Sequence, residues 1–140
     1  MEIVLALGIM SFCVVALLAL FSIGINSGRD SQEELTASHL VQGIIGSRRS
    51  APAADLGSEF PLPALVAGGS KGNTVVLLGP DGRIAASSSE ARYALKYRIE
   101  APAAGETKPF NVYLCAYWPA QGALASASGR YELAVTFPAP

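Results

Sequence analysis

The sequence predicts an α+β chain: one long N-terminal helix, followed by a small antiparallel β-sheet packed on the helix's second half. Three observations carry this. Ile3 to Ile25 is a run of 23 residues without a charge. Residues 35–45 place apolar side chains at helical spacing, and from Thr74 onward the apolar period drops to two. No proline before Pro52 interrupts the helical part.

At about 1.5 Å of rise per residue the apolar run reaches roughly 35 Å, enough to cross the ~30 Å hydrocarbon core of a bilayer. It is read as a membrane span over about residues 3–25, with Ile3, Leu7, Phe12, Leu18, Phe21 and Ile25 among its residues. A cleavable secretory signal has a basic start, a shorter apolar run of about 7–15 residues and a small-residue cleavage site. Here Glu2 stands at the start and the run is longer. The Glu2 carboxylate lies at the positive end of the helix dipole, which lowers its cost there. Ionisable groups at the head of a span are expensive in lipid and usually functional. Taken by itself, Glu2 either marks the polar boundary of the span or carries a function.

From Leu35 the apolar positions are 35, 37, 40, 41, 44 and 45, opposite Glu33, Glu34, Ser38, Gln42 and Arg49. The simplest reading is one helix from about residue 2 to about residue 48, roughly 70 Å long at standard rise. Gly24 and the Asn26-Ser27-Gly28 cluster predict a bend or loosened turn, each glycine costing about 1 kcal/mol against alanine. Arg48 and Arg49 suit the C-terminal end by charge, and Ala51-Pro52 closes the helix. Residues 50–73, rich in Ala, Pro, Gly and Ser, form a loop region pinned by Leu56, Phe60, Leu62 and Leu65.

Thr74 to Leu78 reads as a strand, Gly79-Pro80-Asp81-Gly82 as a tight turn, and Arg83 to Ala86 as the return strand of a hairpin. Three further strands follow from alternation: Tyr93, Leu95, Tyr97 and Ile99; then Phe110, Val112, Leu114, Ala116 and Trp118; then Tyr131, Leu133, Val135 and Phe137. Loops at 101–109 and 119–129 connect them. The apolar face of this three-stranded meander needs a cover, and the helix stripe Leu35, Leu40, Val41, Ile44 and Ile45 supplies one. The predicted organisation is therefore an N-terminal helix over 1–49 and a small β-sheet head over 50–140, packed on helix residues 35–48.

The balance of ten Lys and Arg against eleven Asp and Glu, a net charge of −1, gives no electrostatic case for a nucleic-acid partner. The two cysteines, Cys13 in the apolar run and Cys115 in a strand, are expected to be buried thiols, since one in lipid and one outside cannot pair. His39 is the only histidine and is read as a surface or boundary residue, with no partners at metal-ligand spacing. Ser87-Ser88-Ser89 lacks a nucleophile elbow, and Gly68-Gly69-Ser70-Lys71-Gly72 lacks the spacing of a phosphate loop. Asp81 alone does not make a calcium site. Lys96, Arg98, Glu100 and Glu132 are read as a solvated sheet face, or otherwise as lateral contacts between subunits. No catalytic residue, cofactor or metal is expected.

The stretch Glu2-Ile3-Val4-Leu5-Ala6-Leu7-Gly8-Ile9-Met10 resembles the start of a mature type IV pilin-like protein, in which a glutamate opens an apolar helix; residues 2–25 match that pattern. The text Val112-Tyr113-Leu114 through Trp118-Pro119, then Tyr131-Glu132-Leu133, is similar to minor pseudopilins of the I or PilV type and to the prepilin-like Verru_Chthon cassette protein B family. This resemblance implies a structural subunit, often a minor one, of a pseudopilus or pilus-like filament, with a lollipop-shaped pilin-like fold. It implies that Glu2 neutralises the free amine of a neighbouring subunit when helices pack. The partners implied are other pilin-like subunits, the inner-membrane assembly machinery, the lipid bilayer and, where a leader exists upstream, a prepilin peptidase, with methylation. The implied location is the inner membrane, single-pass, with the C-terminal domain in the periplasm. Family members carry a short basic leader ending in glycine, cut three residues upstream of the position of Met1. Either the start is chosen too late or the chain is a truncated copy that cannot be processed; the expectation favoured is the late start, with upstream codons for Phe-Ser/Thr-Leu or similar preceded by such a leader. The competing reading, from another class, is a single-span anchor that presents a small binding domain and never polymerises.

Overall fold

The structure is a computed structural model that describes residues 2–138; Met1, Ala139 and Pro140 lie outside the described residues. The chain is α+β: helix α1 (Glu2–Ser50), then strands β1 (Lys71–Leu78), β2 (Tyr93–Glu100) and β3 (Phe110–Trp118), a 3₁₀ turn at Leu124–Ser126, and strand β4 (Gly129–Phe137). It divides into two units, one up to Glu33 and one from Glu34 onward, and each is described by itself.

The first unit is helix alone. The α-helical hydrogen-bond pattern runs through Gly24 and Asn26-Ser27-Gly28 without interruption, so the loosened turn expected there is not a break in the backbone ladder. The helix ends two residues beyond the expected Arg48.

In the second unit, the strands form one antiparallel sheet in the order β1-β2-β3-β4. Alternation places Tyr93, Leu95, Tyr97 and Ile99 of β2 beside Phe110, Val112, Leu114, Ala116 and Trp118 of β3, all buried. On β4, Tyr131, Leu133 and Val135 are half-buried on the same face, and Phe137 is fully buried. Ala37, Val41, Ile44 and Ile45 of α1 cover this face in one continuous core. Burying a side chain of the Val or Ile kind there contributes about 1.5–3 kcal/mol.

Two sequence expectations are corrected. The segment after the Gly79-Pro80-Asp81-Gly82 turn is not the partner strand of β1. The turn itself forms, with Gly82 N donating to Gly79 O at 3.2 Å and Gly79 N to Arg83 O at 2.9 Å. Gly82 takes φ +80°, and a β-carbon there would also collide with the Leu40 side chain. Beyond it only a single bridge, Leu78 to Ile84, is made, and β1 pairs along its length with β2 instead. Arg83 to Ala86 has one large apolar residue, whereas β2 brings Leu95 opposite Val76 and Tyr93 opposite Leu78, so cross-strand packing favours β2.

The second correction concerns Leu35, which is 60% exposed and outside the core. At ~100° per residue, Ala37, Val41, Ile44, Ile45 and Arg48 fall within about 100° of arc, and Leu35 lies roughly 80° beyond its edge. Its apolar neighbours in sequence do not share its face.

The region between α1 and β1 contains no regular element among the described residues; it is tied down by contacts. Leu62 and Leu65 are fully buried and Phe60 packs against the core, as expected, but Leu56 stays exposed. Leu65 N donates to Pro52 O at 2.9 Å and Gly68 N to Pro102 O at 2.7 Å. Trp118 leads into a cis peptide with Pro119, and its indole lies where a β-carbon on Gly129 would have to sit, so glycine is required at the start of β4.

Candidate functional site: the apolar helix and the outer sheet face

Residues 3–25 of α1 are apolar around the whole circumference and exposed around all of it. A helix of that kind is stable in water only when something apolar surrounds it, either lipid or other helices. It is long and apolar enough to cross a membrane. Ile3, Leu7, Leu18, Phe21 and Ile25 fall within about 60° of arc at ~100° per residue, and Phe12 points to the other side. Five of the six therefore share one face with Phe12 opposite, and all six are exposed. Glu2 is exposed in the first turn, the one acidic residue there.

The segment holds 14 Ile, Leu, Val and Phe residues between Ile3 and Ile25. At about −0.3 to −0.6 kcal/mol each on an insertion scale they contribute roughly −4 to −8 kcal/mol, against about +2.5 to +3.5 for one aspartate at the centre. One charge is outweighed, and two, at about +5 to +7 kcal/mol, roughly cancel the gain. Val14→Asp alone is expected to leave the chain resistant to alkaline carbonate extraction from membranes, whereas Val14→Asp with Leu18→Asp releases a substantial part of it. Full retention of the double variant would contradict membrane burial of this stretch.

The second surface is the sheet face turned away from α1. Here Lys96, Cys115 and Glu132 stand in register across β2, β3 and β4, with Arg98 opposite Tyr113 in the next row. Arg98 pairs with Glu100 at 3.0 Å and its guanidinium lies 4.5 Å from the centre of the Tyr113 ring. Arg130 pairs with Glu132 at 3.4 Å. These pairs are largely solvated and each contributes little to stability. One end of this face is not wet as alternation predicts: Ala94 and Tyr117 are buried with Ala91 and Ala120 in a small cluster of their own, with Leu77, Ala85, Leu124 and Ala127 packed against it. The long loops before β2 and after β3 fold over it.

Cys115 sits half-buried within this row, 3.9 Å from Glu132 Oε1. Burial first, and the Glu132 carboxylate second, push its pKa above the ordinary thiol value, and Arg130 and Lys96 pull it back only in part. A folded-state pKa above the unfolded one gives stability that is full below the unfolded pKa and fades as pH rises through the folded value. In a Cys13→Ser background, alkylation of Cys115 by iodoacetamide is expected to show an apparent pKa above that of a free thiol. Glu132→Gln is expected to lower it; an apparent pKa below the free-thiol value would contradict this account.

Cys13 is exposed on the stretch read as the membrane span, where the sequence reading has lipid cover it. His39 is exposed on α1, beside a groove that Glu59, Asp81 and Arg83 also line. Asp81 Oδ1 accepts from Arg83 N at 3.2 Å and so serves its turn. Among the described residues no group of three or more His, Cys, Asp or Glu is placed to hold a metal ion. Gly68 takes φ +76° and Ser70 exchanges hydrogen bonds with Ala101, which makes the glycine-rich stretch a connector into β1.

The residue that sequence reasoning undervalued is Arg48. It is 1% exposed, and its guanidinium closes the end of α1 against the following loop. Nη1 donates to Ala51 O at 3.1 Å, Pro52 O at 3.3 Å and Ala54 O at 2.7 Å; Nη2 donates to Leu62 O. The guanidinium carbon lies 4.9 Å from the centre of the Phe60 ring. Burial draws its pKa below the ordinary value, and the nearby Asp55 carboxylate opposes that shift. Its position, four residues after Ile44 and seven after Val41, was the available signal, because that spacing puts it on the buried face.

Compared with known proteins, the chain matches no family model, no curated protein and no solved structure.

Proposed function

We propose that this chain is a structural subunit, of the minor kind, of a pseudopilus or type IV pilus-like filament, and that it polymerises through the first half of α1. The observation that carries the proposal is the pairing of one carboxylate, Glu2, with an all-apolar exposed helix behind it. A lone acid at the head of such a rod is costly wherever the rod lies in an apolar medium. The cost is offset if the positive end of a neighbouring rod meets the carboxylate, and apolar rods that leave lipid together keep their side chains covered by one another. The resemblance of residues 2–25 to the start of mature pilin-like proteins supports the same reading.

In this reading the chain is held in the inner membrane with a single span before assembly, and its sheet domain lies in the periplasm. Its partners are other pilin-like subunits and the membrane machinery that extrudes them. The function is mechanical, without a catalytic step. The test is fractionation of cells that express the full chain with its own assembly system. Recovery in filaments sheared from the cell surface or periplasm is the expected result. Recovery in the membrane fraction alone, under conditions where filaments form, would support the tethered binding domain instead.

A further inference from the structure

We draw no further inference here: the strongest candidate, the groove between the outer edge of β4 at Tyr131, Leu133 and Val135 and the α1 face at Ile45, Gly46 and Arg49, is a surface of mixed polarity beside the edge strand of the sheet, and nothing in the structure shows what covers it.

Discussion

Replacing Arg48 by methionine is expected to destabilise the folded sheet domain by about 2–4 kcal/mol. Four backbone carbonyls, of Ala51, Pro52, Ala54 and Leu62, accept from this one guanidinium, and of these Pro52 O also accepts from Leu65 N. A buried acceptor left without a donor costs about 1–3 kcal/mol, and those of this set that can reach water cost less. Methionine keeps most of the apolar stem and removes the donors, so the loss reads the hydrogen bonds and not a cavity. For a domain of this size, 1 kcal/mol corresponds to about 4–8 °C in Tm, so a fall of roughly 10 °C or more is expected. The measurement is thermal unfolding of the detergent-solubilised chain, followed by Trp118 fluorescence. Arg48→Lys is expected to fall between the two, because an ammonium keeps the charge but cannot span the same carbonyls or lie flat over Phe60. A methionine variant within about 0.5 kcal/mol of the native chain would show that the loop is held by Leu62 and Leu65 alone.

This residue also shows where the sequence was legible and where it was not. The strands β2, β3 and β4 could be read directly, because Tyr93 to Ile99, Phe110 to Trp118 and Tyr131 to Phe137 each alternate, and the face so marked is buried on β2 and β3 and half-buried on β4 up to the buried Phe137. A period of two survives tertiary context because one face has only one place to go. The helix was equally plain, since nothing between Glu2 and Ser50 breaks it. What alternation cannot give is which strand pairs with which. Gly79-Pro80-Asp81-Gly82 is a genuine turn, yet the strand it announced is a single bridge, because turn chemistry fixes the reversal and cross-strand packing fixes the partner.

The core face of α1 was legible only in part. Apolar identity at position 35 suggested membership, although the angle around the helix excludes it; at position 48 the charge was read only as suiting the helix end, although the angle places the residue on the buried face. For an amphipathic helix, the arc occupied by Val41, Ile44 and Ile45 is a better guide than the residue class at its margins. The burial of Tyr117 and Ala94 was hidden for a different reason. It depends on the loops at 85–91 and 119–127 folding back over the outer face, and loop paths leave no period in the sequence.

The span and Glu2 are the reverse case. Their residues could be read at once, but their meaning depends on what surrounds the helix, which a single chain does not contain. An apolar rod exposed on every side is an unfinished structure, completed by lipid, by other copies, or by each in turn. The proposed function assigns the second state to the filament and the first to the membrane store from which it is built.

That proposal is tested most directly by Glu2→Ala in the full chain, with two quantities read from the same cells: the fraction resistant to carbonate extraction from membranes, and the fraction recovered in sheared filaments. Alanine removes the carboxylate without weakening the apolar run, so membrane integration is expected to be unchanged. Filament recovery is expected to fall at least about tenfold, the effect of losing ~1.4 kcal/mol at a subunit contact. Filaments that incorporate the alanine variant as well as the native chain would contradict the assignment of Glu2 to assembly.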